Sequence, residues 1–227
     1  MARSQLLKDV VTGKESIESI LLRLKVILSD LDNEPIINWV NGELRGYKEE
    51  DDVPRYRILK GTPMGTYIVN QGYQYSNAPV PLMHLLSEDF FENIITLSVR
   101  DSIATIQNVL NGENRENYSN IIPTEMCHGM STDELQIVSM RISFSSNKLD
   151  RIVSNVKSRL VDIVMELEKQ FDNLDDLDIK DQVEESSSKK EQVIYNIGQI
   201  IYEGSIKVGD KNKISKSILG HMFGGKE

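Results

Sequence analysis

The chain has a single cysteine, Cys127, in 227 residues. A lone thiol excludes an internal disulfide, and with no second cysteine at ligand spacing it excludes a cysteine-based metal site. Long apolar runs are missing as well, so nothing approaches the roughly 20 residues that a membrane-spanning helix needs. Met1-Ala2-Arg3-Ser4 leads straight into an amphipathic pattern, without the apolar stretch and small-residue cleavage site of a signal peptide. These absences predict an intracellular, cytoplasmic chain in a reducing compartment. Aromatic residues make up only 6% of the chain, which argues against single-strand nucleic-acid binding by base stacking. Positive charge is in deficit, with 26 Lys and Arg against 35 Asp and Glu and a net charge of −9. Duplex binding needs a basic face to neutralise phosphates, so nucleic acid is not expected as the main partner. No phosphate loop of the P-loop or dinucleotide type occurs. Gly61-Thr62-Pro63-Met64-Gly65-Thr66 lacks the Lys-Ser/Thr ending, and a proline interrupts it. No cofactor and no metal are expected.

What is present is the composition of a folded protein, 39% hydrophobic and 27% charged, long enough for one core and a small appendage. Thr12 and Glu15 have the form of a capping box. Ile17, Ile20, Leu21, Leu24, Ile27, Leu28 and Leu31 follow at helical spacing. Asp32 or Asn33 caps the next helix, Pro35 sits in its first turn, and Gly46 stops it. The punctuated stretch 48–83 reads as strand and loop, with β-type runs at Tyr56–Leu59 and Tyr67–Val69. One helix is expected from Ser87 to Leu110, then a polar loop from Asn111 to Ser131. Val138, Met140, Ile142 and Phe144 alternate with polar residues as a half-buried strand would. Leu149 to Phe171 keeps a three/four spacing for six turns, the clearest helix in the chain.

Residues 172–191 carry eight acids against three bases and read as an acidic linker. Beyond it, runs such as Val193–Ile197, Ile200–Tyr202 and Ile206–Val208 end at Gly or Asn and suggest a loose β-repeat. Residues 205–226 hold five lysines and one acid, opposite in charge to the linker. The expected fold class is therefore α+β. A predominantly helical N-terminal domain with a small antiparallel sheet occupies residues 1–171, the acidic linker 172–191, and a short β-repeat tail 192–227. Isolated short strands are marginal in water. The tail is thus expected to make a homo-oligomer or hold a partner through Ile194, Tyr195, Ile197, Ile201, Tyr202, Ile206 and Val208.

Trp39-Val40-Asn41-Gly42-Glu43-Leu44-Arg45-Gly46-Tyr47, an acidic loop, and Val53-Pro54-Arg55-Tyr56-Arg57 together resemble the signature of the AbiTii domain family. Lys157–Glu168 resembles that family's second block, although the tryptophan the family often carries near Ile163 is absent here. The resemblance spans roughly residues 4–205. It implies a role in abortive infection, a bacterial antiphage defence, and brings no catalytic residues with it.

Among polar groups, Glu43 with Arg45, Arg55 and Arg57 offers the most chemistry. A carboxylate clamped by arginine can be an anion pocket or a catalytic acid, and more often is an ion pair that fixes a turn. Cys127-His128 is adjacent in sequence, whereas working dyads are assembled from distant segments. Three functions are compatible with the residues. The first is a self-assembling or partner-binding defence module, with a phage or host protein as partner. The second is a toxic nuclease or nucleotide hydrolase triggered by infection. The third is a regulator or antitoxin of a toxic partner.

Overall fold

A computed structural model describes residues 3–113, 115 and 118–202. The first helix, α1 (Gln5–Thr12), begins at Ser4, whose hydroxyl accepts from the Leu7 amide, and ends at Gly13 in the left-handed conformation, φ 64°. Thr12 therefore closes one helix instead of opening the next, and its hydroxyl donates back to the Lys8 carbonyl. Ser16 caps α2 (Ile17–Ser29). Asn33 caps α3 (Glu34–Arg45), with Pro35 in the first turn and Gly46 at the end, as the sequence predicts.

A 3-10 turn at Arg55–Arg57 leads into β1 (Ile58–Lys60) and β2 (Thr62–Val69). Asn70 and Gln71, both at positive φ, turn the chain back into β3 (Tyr73–Pro79). Such a pair matches the twist of a two-stranded hairpin.

The single helix expected over Ser87–Leu110 is divided. After α4 (Glu88–Ile95), the β-prone run Thr96–Ser98 forms β4 and pairs antiparallel with β1. Ser102 then accepts from the Thr105 amide and starts α5 (Ile103–Asn111). The polar stretch read as a loop holds β5 (Ser119–Ile122) and the short α6 (Thr124–Gly129), which buries Cys127. The strand predicted around Val138 is β6 (Leu135–Ser143), with one change of face. A bulge against β2 falls between the Ser139 and Ile137 pairings, so Val138 points outward at 49% exposure while Ile137 and Met140 are buried. The long helix is α7 (Ser146–Gln170).

Residues 172–191 do not form a solvated linker. A 3-10 turn at Leu174–Asp176 and α8 (Lys180–Glu184) bury Leu174, Ile179 and Val183. Aspartates in this stretch bond to backbone: Asp175 accepts from the amides of Gln5 and Leu6 at the start of α1. The next element is α9 (Ser187–Tyr202), a helix where short strands were expected. Its apolar residues Val193, Ile194, Ile197, Ile201 and Tyr202 also satisfy a three/four spacing, and this burial overrides the β-propensity of isoleucine. The remaining part of the predicted β-repeat, from 203 onward, lies outside the described residues.

The chain divides into two compact units. The helical unit comprises Met1–Arg55, Arg100–Ile106 and Val153 onward, and its core includes Leu21, Leu24 and Leu28 of α2, Ile36, Trp39 and Val40 of α3, Leu160, Ile163 and Val164 of α7, and Ile197 of α9. Each such side chain contributes about 1.5–3 kcal/mol by leaving water. The sheet unit comprises Tyr56–Val99 and Gln107–Ile152 and contains the β1–β4 pair and an antiparallel sheet in the order β3-β2-β6-β5.

Candidate functional site

The end of α3 is built by two glycines and a tyrosine. A Cβ on Gly42 would lie 2.3 Å from the Tyr47 ring, so only glycine lets that ring rest against the helix. Gly46, at φ 88°, reverses the chain, and a Cβ there would meet the Arg100 carbonyl at 2.8 Å. The Tyr47 amide donates to that same carbonyl at 2.8 Å, and its hydroxyl donates to Glu43 Oε1 at 2.9 Å. The acidic loop that follows is held in place. The Arg100 guanidinium donates to the carbonyls of Lys48 and Asp51, and Asp51 Oδ2 accepts from the Lys48 amide at 2.7 Å.

Glu43 is fully buried in the helical unit, with Tyr47 as a donor. Arg57 is fully buried in the sheet unit and donates to the Val99 carbonyl at 3.0 Å. Arg55 is exposed. Cys127 is buried with its Sγ against the Ile122 carbonyl, and burial pushes its thiol up, away from the reactive thiolate. His128 beside it is exposed. Among the described residues no group of three or more His, Cys, Asp or Glu is placed to hold a metal ion.

The residues expected to mediate interactions fall on α9. Ile194, Ile197, Ile201 and Tyr202 are buried within the chain, and Tyr195 is the exposed one of the set. Strand stacking through these five is corrected by the helix they form. Ile206 and Val208 lie outside the described residues. The helix is tied to α7 at two points. Asn196 Nδ2 donates to Glu166 Oε1 at 2.6 Å, and Arg159 Nε donates to the Ile201 carbonyl at 3.2 Å. Burial pushes the Glu166 carboxyl up, but the hydrogen bonds from Asn196 and Lys169 outweigh it and hold the group below its ordinary value.

Two of the cavities in the helical unit differ in their lining. The larger, about 640 Å³, is lined by Arg3, Lys8, Glu168 and Asp175 among others. Two of its three acids are engaged, Glu168 by Arg3 and the Ser4 amide and Asp175 by the start of α1, and the third, Asp172, bonds to Gln182 through its backbone. The smaller, about 170 Å³, is lined by Trp39, Tyr47, Asp51, Asp52 and Tyr202, with Pro35 and Asn38. Tyr202 is only 9% exposed, and its hydroxyl makes no hydrogen bond among the described residues. Burial, with the Asp52 charge adding to it, pushes its pKa up to about 12, so it stays a neutral hydroxyl. The Asp52 carboxylate has no hydrogen bond or ion pair among the described residues. Sequence reading found Trp39, Tyr47 and the acidic loop as a signature but not as a pocket. Tyr202 is far away along the chain, and only the helical course of α9 brings it there.

No curated protein and no solved structure matches the chain. Residues 4–193 match the AbiTii family, a span that takes in α3, the acidic loop, α7 and the first turns of α9. This chain is a member of the AbiTii family.

Proposed function

We propose that this AbiTii protein acts in antiphage defence by abortive infection, and that it acts in the cytoplasm by recognition, without a catalytic acid of its own. Family membership supports the defence role. The observation that carries the recognition half is the pocket at the family signature, where Tyr202, a nearly buried residue whose hydroxyl is unbonded among the described residues, shares the lining with Asp51, Asp52, Trp39 and Tyr47. A preformed concave site with a few convergent polar groups is the usual form of a ligand site. Glu43, the best acid the sequence offers, is enclosed and bonded to Tyr47, which favours a structural role.

Residues 203–227 remain the segment through which copies of the chain, or a phage or host protein, would be joined. Their five lysines contrast with the acids at 49–52. The experiment that tests the defence role is a phage challenge of cells expressing the full chain, scored for early death of infected cells and fall in phage yield. Protection that depends on the chain supports the role, and unchanged phage yield contradicts it.

A further inference from the structure

The pocket at the signature has the chemistry of a cation site. Its walls are the aromatic side chains Trp39, Tyr47 and Tyr202, and its charges are Asp51 and Asp52. No lysine or arginine lines it. Aromatic faces and carboxylates both attract positive charge, so an anion is excluded and a neutral apolar group gains little from the acids. A hard metal ion is a poor fit, because such ions take six or more oxygen ligands and three of these walls are rings. At about 170 Å³ the space takes one group of side-chain size and not a whole nucleotide. One further observation points to an occupant. Tyr202 is nine-tenths buried and lines the pocket, and its hydroxyl has no hydrogen bond among the described residues, which leaves it available to a bound donor. Asp52 is exposed and makes no hydrogen bond or ion pair among the described residues, whereas Asp51 already accepts from the Lys48 amide.

We propose that this pocket binds an alkylammonium group. The rings flank the cation, Asp51 and Asp52 neutralise it, and the Tyr202 oxygen accepts one N–H hydrogen bond. The proposal deepens the recognition reading above and rests on it. A free polyamine and a lysine of the chain's own residues 203–227 carry the same group, and Lys207 stands only a few residues beyond Tyr202.

Trp39 is the only tryptophan in the chain, so its fluorescence reports on this pocket alone. The full chain is titrated with spermidine, with magnesium chloride at matched ionic strength as the control. A saturable change with spermidine and not with magnesium is expected. Tyr202→Phe keeps the ring and removes only the hydroxyl, and Asp52→Asn removes only charge, so both variants keep the fold. Each is expected to weaken binding by about tenfold, the size of one charge-assisted hydrogen bond or ion contact.

A full-length variant with Lys207, Lys211, Lys213 and Lys216 changed to Gln separates the two sources. If a free amine is the occupant, this variant titrates like the wild type. If a lysine of the chain holds the pocket, the wild type shows little response, and the variant has an altered Trp39 spectrum and binds spermidine. Either result supports the ammonium site. The proposal is overturned if neither chain responds saturably, if magnesium acts as spermidine does, or if Tyr202→Phe, made in whichever chain responds, titrates like that chain. A chain that binds spermidine but gives no phage protection contradicts the defence role alone. One that protects but never binds contradicts only the ammonium site.

Discussion

The Tyr47 hydroxyl donates to Glu43 Oε1 at 2.9 Å, and both side chains are buried at the end of α3. The pair ties two signature residues together across the reversal at Gly46 and accounts for a buried carboxylate without invoking catalysis. Tyr47→Phe removes the donor and keeps the ring. Loss of a donor to a buried charged acceptor costs about 1–3 kcal/mol, and a chain of this size loses roughly 2–4 °C in Tm per kcal/mol. A lowered Tm with retained secondary structure is the expected outcome in thermal melts followed by circular dichroism. An unchanged Tm would show that the bond contributes nothing.

Gly46→Ala should be worse tolerated than a typical loop substitution. Its φ of 88° is disfavoured for any residue with a Cβ, and that Cβ would sit 2.8 Å from the Arg100 carbonyl, which accepts from the Tyr47 amide. With ψ at 160°, that backbone is open essentially to glycine alone and costs another residue about 1–3 kcal/mol, and the close contact adds to it. Chemical denaturation is expected to give a lower midpoint with the slope unchanged.

Acid sensitivity should come from three carboxylates. Asp9 is held below its ordinary value by hydrogen bonds from Arg23 and Gln5. Glu166 and Glu168 are pushed up by burial but held down more strongly by their donors, Asn196 and Lys169 for the first, Arg3 and Ser4 for the second. Because folded values lie below unfolded ones, their stabilisation is complete above the ordinary carboxylate range. It is lost as pH falls through the folded values. Asn196→Ala removes a donor to Glu166 and should flatten the loss of Tm on acidification, measured between about pH 6 and about pH 3. An acid limb identical to the parent's would refute the assignment to Glu166.

The helical course of α9 makes its own prediction. Ile197 is fully buried, so Ile197→Asp places a charge in the core of the helical unit and should cost about 3 kcal/mol or more. Had residues 192–202 been short strands joining separate chains, the same change would alter the oligomeric state and leave the fold intact. Light scattering and a thermal melt on one sample distinguish the two.

The legible parts of the fold were those where pattern and local chemistry agree. Asn33, Pro35 and Gly46 bracket α3, and the long stripe from Leu149 marks α7. Where β-prone residues sit between helical ones, periodicity misled in both directions. Thr96–Ser98 interrupts a helical pattern because it pairs with β1, and Val193–Tyr202 looks like strands but buries a helical stripe. Val138 left the core because a bulge shifted the register of β6, which the alternation of residues does not reveal. The acids of 172–191 hid Leu174, Ile179 and Val183, because composition averages over the few side chains that matter. For the site, the Trp39 to Asp52 half was readable as a signature. Tyr202 joins it only through tertiary packing, so no local signal marks it.

The most direct test compares phage protection by the full chain, by Glu43→Gln and by Tyr202→Phe, each first shown to fold. Recognition at the pocket predicts that Glu43→Gln protects like the parent while Tyr202→Phe loses protection. Loss of protection in folded Glu43→Gln with full protection in Tyr202→Phe would contradict it and make Glu43 the functional acid.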